Sequence, residues 1–99
     1  MVNIKDAKER LKRISGQAEM LKVISHPVRL CIISGLINEP GCNVSKIMGC
    51  LDMPQSTISQ HLAKLKSAGI VEGIRNGLEV NYYVTNEDAI KVVGCLVEP

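Results

Sequence analysis

Four cysteines are the side chains of this sequence that could react with oxidants or hold a soft metal, namely Cys31, Cys42, Cys50 and Cys95. In a reducing compartment such residues are thiols rather than structural disulfides, and converging thiolates suit arsenite, copper(I) or cadmium. Cys42 and Cys50 flank a predicted helix and lie about 12 Å apart along it, too far to share one ion unaided. Each cysteine can also be interpreted as a small buried hydrophobic residue.

No residue pattern indicates an enzyme. The sequence has no Cys-x-x-Cys pair, no glycine-rich phosphate loop and no paired carboxylate site. The two histidines, His26 and His61, do not by themselves predict a zinc site, which ordinarily takes four ligands.

The stretch Met53–Gly69, MPQSTISQHLAKLKSAG, indicates a different kind of chemistry. On a helix, at about 100° per residue, Ile58, Leu62 and Leu65 fall in one narrow arc that should face the core. The opposite arc contains no acidic residue and consists of Ser56, Ser59, Gln60, Ala63, Lys64 and Ser67. Gln can form two hydrogen bonds to adenine, Ser can bond bases or phosphates, and Ala can contact a thymine methyl group. The alternative is an ordinary solvated face that lacks acids.

DNA phosphate contacts are predicted around the same helix. Lys64 and Lys66 would face phosphates, and free N–H groups at the helix start, around Gln55 to Thr57, offer another phosphate site. Arg75 lies where a hairpin tip would follow the backbone or enter the minor groove. The predicted DNA-binding residues are Gln55, Ser56, Thr57, Ser59, Gln60, His61, Lys64, Arg75, Asn76 and Gly77.

A long first helix is predicted to begin near Ile4, with Asn3 as its cap. Its apolar positions recur at alternating steps of three and four, which is a heptad seam made of Ile4, Ala7, Leu11, Ile14, Ala18 and Leu21. The seam favours packing on another helix, either one from a second subunit or one in the core of the same chain.

Two further helices lead to the polar stretch. His26-Pro27 should end the first helix and start the second, because proline suits a first helical position. The residues that the second helix should bury are Leu30, Ile33, Leu36 and Ile37. Asn43 should cap a short third helix from Val44 to Leu51.

After Gly69 the pattern changes to a β-hairpin and a final helix. Strands are predicted at Ile70–Arg75 and Leu78–Val84, joined by an Asn76-Gly77 turn. Thr85, together with Asp88, should cap a last helix whose apolar residues are Ile90, Val93, Leu96 and Val97. Four helices, a hairpin and a last helix predict a mainly α fold, a winged helix–turn–helix that forms one domain over residues 1–99.

Composition sets further limits. With 99 residues the chain has room for one domain at most, and 45% hydrophobic with 22% charged residues is ordinary for a globular protein. The net charge is only +2, so any nucleic-acid binding must come from a local basic patch. The sequence has neither a membrane-spanning apolar run nor a signal peptide, so we expect no membrane partner and a cytoplasmic location.

From His26 to Val84 the sequence resembles the ArsR/SmtB family of bacterial transcriptional repressors. The resembling segments are His26-Pro27-Val28-Arg29-Leu30, Pro54 to Leu62, Leu65 to Val71, Arg75 to Gly77 and Tyr82-Tyr83. The resemblance implies a winged-helix homodimer with the first and last helices at its interface. It also implies repression at a double-stranded, palindromic DNA operator near its own gene, and release when an inducer binds.

The resemblance leaves the inducer open. The Cys-x-Cys pair of arsenite and cadmium sensors in the family would fall at Asn43 and Ser45, and the zinc-binding last helix of other members here lacks histidine. Cys31 and Cys95 could form a disulfide or polysulfide bridge, as in thiol sensors of the family, although their positions differ from the pair in those sensors. No cofactor is indicated beyond a soft metal or arsenite held by thiolates. Two alternatives are a protein-interaction winged helix and a family member without ligand control.

Overall fold

The computed structural model describes residues 3–97, which form five helices and one β-hairpin. The elements in chain order are α1 (Ile4–Ile24), α2 (Pro27–Asn38), α3 (Val44–Leu51), α4 (Gln55–Ser67), β1 (Val71–Asn76), β2 (Glu79–Val84) and α5 (Glu87–Leu96). No single helix in this range is long and apolar enough to cross a membrane, and the bent pair α1–α2, at 101°, meets only the criteria of length and composition.

Side chains at the predicted cap positions begin the first three helices. Asn3 and Asn43 each accept a hydrogen bond from the backbone N–H three residues later, at 2.8 and 2.9 Å. His26 caps α2 through its ring Nδ1, which accepts the N–H of Val28 at 3.1 Å, and Pro27 takes the first helical position. These three predicted starts are confirmed, because each depends only on residues within one turn of the cap.

The last helix begins differently from the prediction. Asn86, and not Thr85, is the N-cap of α5, and its side-chain oxygen accepts the N–H of Ala89 at 2.9 Å. The N–H of Thr85 instead donates to the carbonyl of Ile70 at 2.9 Å. Thr85 is therefore held at the base of the hairpin, which is why the predicted Thr85 cap is wrong.

The hairpin turn lies one residue beyond the predicted position. Asn76 pairs with Glu79 in the antiparallel ladder, so the two central turn residues are Gly77 and Leu78. Gly77 has φ +69°, whereas Leu78 is not among the described residues with positive φ. A glycine with positive φ at the first central position alone fits a type II′ turn, while the predicted Asn-Gly turn would need positive φ at both positions.

One buried cluster joins the five helices and the start of β1. Its residues, all at most 8% exposed, are Met20, Ile24, Ile32, Ile33, Leu36, Ile47, Ile58, Leu62, Leu65, Ile70, Val71, Ala89 and Val93. Burial was predicted correctly for Ile33, Leu36 and Val93, whereas Leu30 and Ile37 are only half-buried. Complete burial of a Leu, Ile or Val side chain stabilises the fold by about 1.5–3 kcal/mol, so this cluster fixes how the helices sit.

The heptad seam of α1 lies outside this cluster. Ile4 and Leu11 are 76% and 64% exposed, and the remaining seam residues are exposed as well. The helix is attached to the core through Met20 and Ile24 near its end instead. Packing of the seam on the chain's own core was one of the two alternatives, and for this chain it is wrong.

Candidate nucleic-acid interface

Helix α4 divides sharply into a buried and an exposed side. Ile58, Leu62 and Leu65 are at most 3% exposed, and α4 packs through them against α1, α2, α3 and β1. The opposite side consists of Ser56, Ser59, Gln60, Ala63, Lys64 and Ser67, all exposed, and we call these six residues the recognition face. The predicted division of the helix is confirmed, and no acidic side chain belongs to this face.

The start of α4 offers backbone donors. Its N-cap is Pro54, which has no side-chain group to satisfy the first N–H groups of the helix. The N–H of Thr57 donates to the Pro54 carbonyl at 3.1 Å and is therefore not free, contrary to its prediction as a phosphate donor. The N–H groups of Gln55 and Ser56 have no acceptor within residues 3–97. Two unsatisfied donors at a helix N-terminus suit an anionic oxygen.

The hairpin is attached to α4 by a tight turn. Gly69 has φ +73° and ends the helix as predicted, and the N–H of Ile70 donates to the carbonyl of Leu65 at 2.9 Å. Arg75, Asn76 and Gly77 are all exposed at the hairpin tip. No carboxylate in the described part of the chain pairs with Arg75, so its guanidinium is available to a phosphate.

His61 lies apart from the recognition face, in a contact between three helices. It is half-buried, and its ring lies 4.6 Å from the ring of His26, measured between centroids. Its Nδ1 accepts a hydrogen bond from Nε of Arg29 at 3.2 Å, and Nη1 of Arg29 donates to the carbonyl of Val23 at 2.7 Å. Arg29 thus connects the end of α1 with the recognition helix. A DNA contact by His61 stays a prediction.

The surroundings of His61 disfavour its protonation. Burial lowers the pKa of its imidazole, and electrostatic interactions with His26, Arg29 and Lys64 lower it further. The Nδ1 atom can accept the Arg29 N–H only while it carries no proton. The neutral ring is therefore the form that holds this contact.

Three of the four cysteines line one groove between α2 and α3. Cys31, Cys42 and Cys50 border a cavity of about 260 Å³, which we call the thiol groove, together with Glu39 and Lys46. Helical spacing separated Cys42 from Cys50, and the family resemblance suggested Cys31 with Cys95, so this gathering was not predicted. Cys95 is exposed on α5, beside apolar side chains outside the groove.

Cys42 is the most constrained thiol of the groove. Its Sγ donates to the carbonyl of Glu39 at 3.1 Å, and Glu39 forms an ion pair with Lys46 across the groove. Burial raises the pKa of the Cys42 thiol, with Lys46 opposing and Glu39 adding to the rise. Within the described residues no three His, Cys, Asp or Glu side chains are placed to hold a metal ion. The groove therefore does not fit a preformed metal site.

Sequence reasoning missed Arg29 as part of this region. The residue belongs to the quoted segment from His26 to Leu30, yet no role followed from that position. Its partners, His61 and the Val23 carbonyl, lie 32 and 6 residues away. No local pattern marks a contact between residues so far apart in the chain.

A short helix α3, a recognition helix with an acid-free polar face and a following hairpin define a winged helix–turn–helix regulator. A sequence profile described as "Bacterial regulatory protein, arsR family" matches residues 26–73. The chain belongs to the arsR family of bacterial regulatory proteins, whose members are DNA-binding transcriptional regulators and not enzymes.

Individual relatives are similar to this chain in sequence. The chain is 38% identical over 81 residues to the transcriptional repressor PagR of Bacillus anthracis. This alignment covers 82% of this chain and 81% of PagR. It is 35% identical over 80 residues to the transcriptional repressor SmtB of Mycobacterium tuberculosis. This alignment covers 81% of this chain but only 58% of SmtB.

Solved structures of transcriptional repressors have the same fold as this chain. The crystal structure of PagR superposes with a TM-score of 0.81 at 34% identity, over 88% of this chain and 99% of PagR. The structure of the repressor BigR from Xylella fastidiosa gives 0.79 at 33% identity, over 91% of this chain and 88% of BigR. The predicted family and winged-helix fold are thereby confirmed.

Replacing His61 by Gln should remove part of the pH dependence of stability. Because the folded-state pKa of His61 is lowered, the unfolded chain binds the proton first as pH falls. The contribution of His61 to the free energy of unfolding is therefore fully present above about pH 6.5. It decreases as pH falls below that value and levels off once His61 is also protonated in the folded state. Gln does not titrate and still offers Arg29 an acceptor. Urea denaturation at about pH 7.5 and about pH 5 should give a smaller loss in H61Q than in the wild type. Equal losses of unfolding free energy in H61Q and the wild type would show that protonation of His61 does not destabilise the fold.

Proposed function

We propose that this chain is a transcriptional repressor that binds a palindromic double-stranded DNA operator as a homodimer. The observation that carries the proposal is the recognition face of α4, which is exposed, polar and free of acids, opposite a fully buried arc. The names of PagR and SmtB as repressors support the direction of regulation. The dimer would act in the cytoplasm, where its DNA partner lies. Each chain would act as one domain, since all elements contribute to one buried cluster or pack against it.

The residues of the interface would divide between bases and phosphates. Ser59 and Gln60 stand on the recognition face where base edges of a major groove would lie, and Gln can bond adenine at two atoms. Ser56 is near the helix start, and its free N–H, with that of Gln55, suits a phosphate. Lys64 and the wing residue Arg75 would add phosphate contacts that do not depend on sequence.

Replacing Ser59 and Gln60 together by Ala should abolish specific binding. Each lost base contact costs about 1–3 kcal/mol, whereas affinity for a random duplex should change little because the phosphate contacts remain. The measurement is a titration, at moderate salt, of a duplex selected by the wild-type protein and of a scrambled duplex. Circular dichroism checks that the fold is intact. Unchanged affinity for the selected duplex would refute the assigned recognition face.

Arg75→Ala provides the matched comparison for this experiment. Because a phosphate contact is blind to sequence, this variant should weaken binding to both duplexes and lower the salt slope by about one for each protomer. A loss confined to one base position would contradict the wing role of Arg75.

The proposed dimer uses the exposed apolar residues of α1 and α5. Leu11 and Ile14 of α1 are 64% and 43% exposed, and Leu96 of α5 is 68% exposed. These two helices pack against each other within one chain, so their apolar residues can form a continuous surface. A heptad seam that finds no partner in its own chain is suited to packing on a second copy.

Leu11→Glu should break the dimer, because it would bury an unpaired carboxylate in the interface. Sedimentation equilibrium should give about 10.8 kDa for this variant and about twice that for the wild type. The control is Leu78→Glu at the fully exposed turn of the hairpin, which makes the same chemical change and should leave the dimer intact. If both variants sediment like the wild type, the α1 seam is not the interface.

For release from DNA, we place the inducer at the thiol groove. Cys31 and Cys50 are exposed there, so they are open to a thiol-reactive compound. The donor geometry does not support a preformed ion site, so covalent modification or oxidation of thiols fits better than a resident metal.

The groove is connected to the wing by backbone hydrogen bonds. The N–H of Tyr82 in β2 donates to the carbonyl of Cys42 at 3.0 Å, and the N–H of Gly41 donates back to the Tyr82 carbonyl at 2.9 Å. The side chains of Asn43 and Glu79 add a hydrogen bond of 3.1 Å. A change that displaces Cys42 would therefore move β2 and, with it, the tip that carries Arg75.

Replacing Cys31, Cys42 and Cys50 together by Ser should remove the response to the inducer. The reduced operator complex would be titrated with arsenite, zinc, a polysulfide and an oxidant in turn. For at least one reagent, affinity should fall about tenfold or more, equal to about 1.4 kcal/mol, in the wild type and in the Cys95→Ser control but not in the triple variant. Loss of the response in Cys95→Ser as well as in the triple variant would favour the Cys31–Cys95 bridge. If no reagent releases DNA, the placement of the inducer at the thiol groove is refuted, and a family member without ligand control is favoured.

A winged helix that binds another protein is the competing function. It predicts acidic or apolar residues on the exposed side of α4, and the recognition face has neither an acid nor a large apolar side chain. Ser59, Gln60 and Lys64 at its centre favour DNA instead.

A further inference from the structure

A pocket that includes one end of the recognition face has three cationic side chains and no acidic one. It has a volume of about 460 Å³ and lies where the end of α1, the first turn of α2 and the C-terminal half of α4 meet. Its polar side chains are Lys22, Arg29, Lys64 and Ser67, and the other lining residues are valine and alanine. We call it the cationic pocket. Only Lys64 among these side chains belongs to the predicted DNA-binding set.

The guanidinium of Arg29 is half-buried and has no counter-ion. Its two hydrogen bonds go to His61 and to the Val23 carbonyl, neither of which is negatively charged. Within residues 3–97 no carboxylate lies within 4 Å of it. Arginine that is withdrawn from water is normally paired with an anion, so this arrangement is incomplete as it stands.

The two lysines of the cationic pocket also lack a strong acidic partner. Lys64 forms no ion pair within the described range of the chain. Lys22 contacts only Glu19, at 3.4 Å, and both side chains are about three-quarters exposed, so this pair contributes little. The pKa of His61 is lowered first by burial and then by His26, Arg29 and Lys64, in agreement with a positive local potential.

The position of the pocket relates it to DNA. Gln60, Lys64 and Ser67 follow one another along the exposed side of α4, and Ser67 lies about 10 Å beyond Gln60 along the helix. The major groove is about 12 Å wide, so a duplex whose bases contact Gln60 has its bordering phosphates within reach of this end of the helix. Helices outside the recognition helix commonly contact these phosphates.

We propose that Lys22, Arg29, Lys64 and Ser67 form a seat for one backbone phosphate of the DNA whose groove Gln60 contacts. The phosphate supplies the missing counter-ion of Arg29, while Lys22 and Lys64 neutralise it from two sides and the Ser67 hydroxyl donates a hydrogen bond. The proposal rests on the proposed DNA-binding function and extends the interface to α1 and α2.

Lys22→Ala, compared with Lys12→Ala, tests the phosphate seat. Both variants remove one exposed lysine of α1 and so change the net charge equally, but Lys12 lies about 15 Å away along the helix. Affinity for a duplex of random sequence is measured as a function of salt, because phosphate contacts persist without sequence specificity. In K22A the slope of log affinity against log salt should fall by about 0.9 for each protomer, whereas K12A should keep the wild-type slope.

The outcomes separate this proposal from the proposed function. If the wild type binds the duplex and K22A has the same slope as K12A, the phosphate seat is refuted and DNA binding stands. If the wild type binds no duplex, both fail. A second arm titrates inorganic phosphate into the free protein and follows amide NMR shifts at Lys22 and Ser67, with chloride as control. Saturable phosphate binding together with an unchanged K22A slope would assign the pocket to a small phosphate compound and overturn the DNA assignment.

Discussion

The burial of one side of α4 is the constraint on which the rest of this structure depends. Ile58, Leu62 and Leu65 are held in the cluster that joins all five helices, so α4 cannot rotate without exposing three large apolar side chains. Its opposite side is thereby fixed toward solvent, with serine, glutamine and lysine in a set arrangement. A recognition surface made of flexible polar side chains gains its precision from the rigid apolar side behind it.

The surface around the exposed side of α4 is positively charged, although the chain as a whole is nearly neutral. The net charge is +2, yet positive groups from α1, α2 and α4 converge around Arg29 without a carboxylate among them. Glu19 forms an exposed pair with Lys22, and other acidic residues are placed elsewhere, as in the Glu39–Lys46 pair at the thiol groove. Local sorting of charge can therefore supply an attraction for DNA that global composition does not indicate.

The loop before α3 connects two regions that would otherwise be independent. Gly41 and Cys42 pair with Tyr82 through backbone hydrogen bonds, so one edge of the thiol groove is also an extension of the hairpin. The edge of the thiol groove and the hairpin are thus joined by one set of hydrogen bonds. Such a connection is a physical route for coupling two sites, since displacement of one strand edge displaces the other.

The sequence by itself determined the features that depend on neighbours within a few residues. Asn3, Asn43, Pro27 and Gly69 set helix ends through contacts within one turn, and helical periodicity separated the two sides of α4. The exposed, acid-free polar side of α4 was therefore predictable. Local signals erred by one residue at Thr85 and at the Asn76-Gly77 turn, where pairing at the base of the hairpin and the ladder register decide the outcome.

Only the tertiary structure decided which distant residues meet. Cys31, Cys42 and Cys50 share a groove, and Arg29 bonds to His61 across 32 positions, because α2 packs against both α4 and β2 while α3 packs against α4. The same packing left the seam of α1 exposed. The physical reason is that periodicity identifies which face of a helix is apolar, whereas the partner of that face depends on how whole helices pack around a shared core.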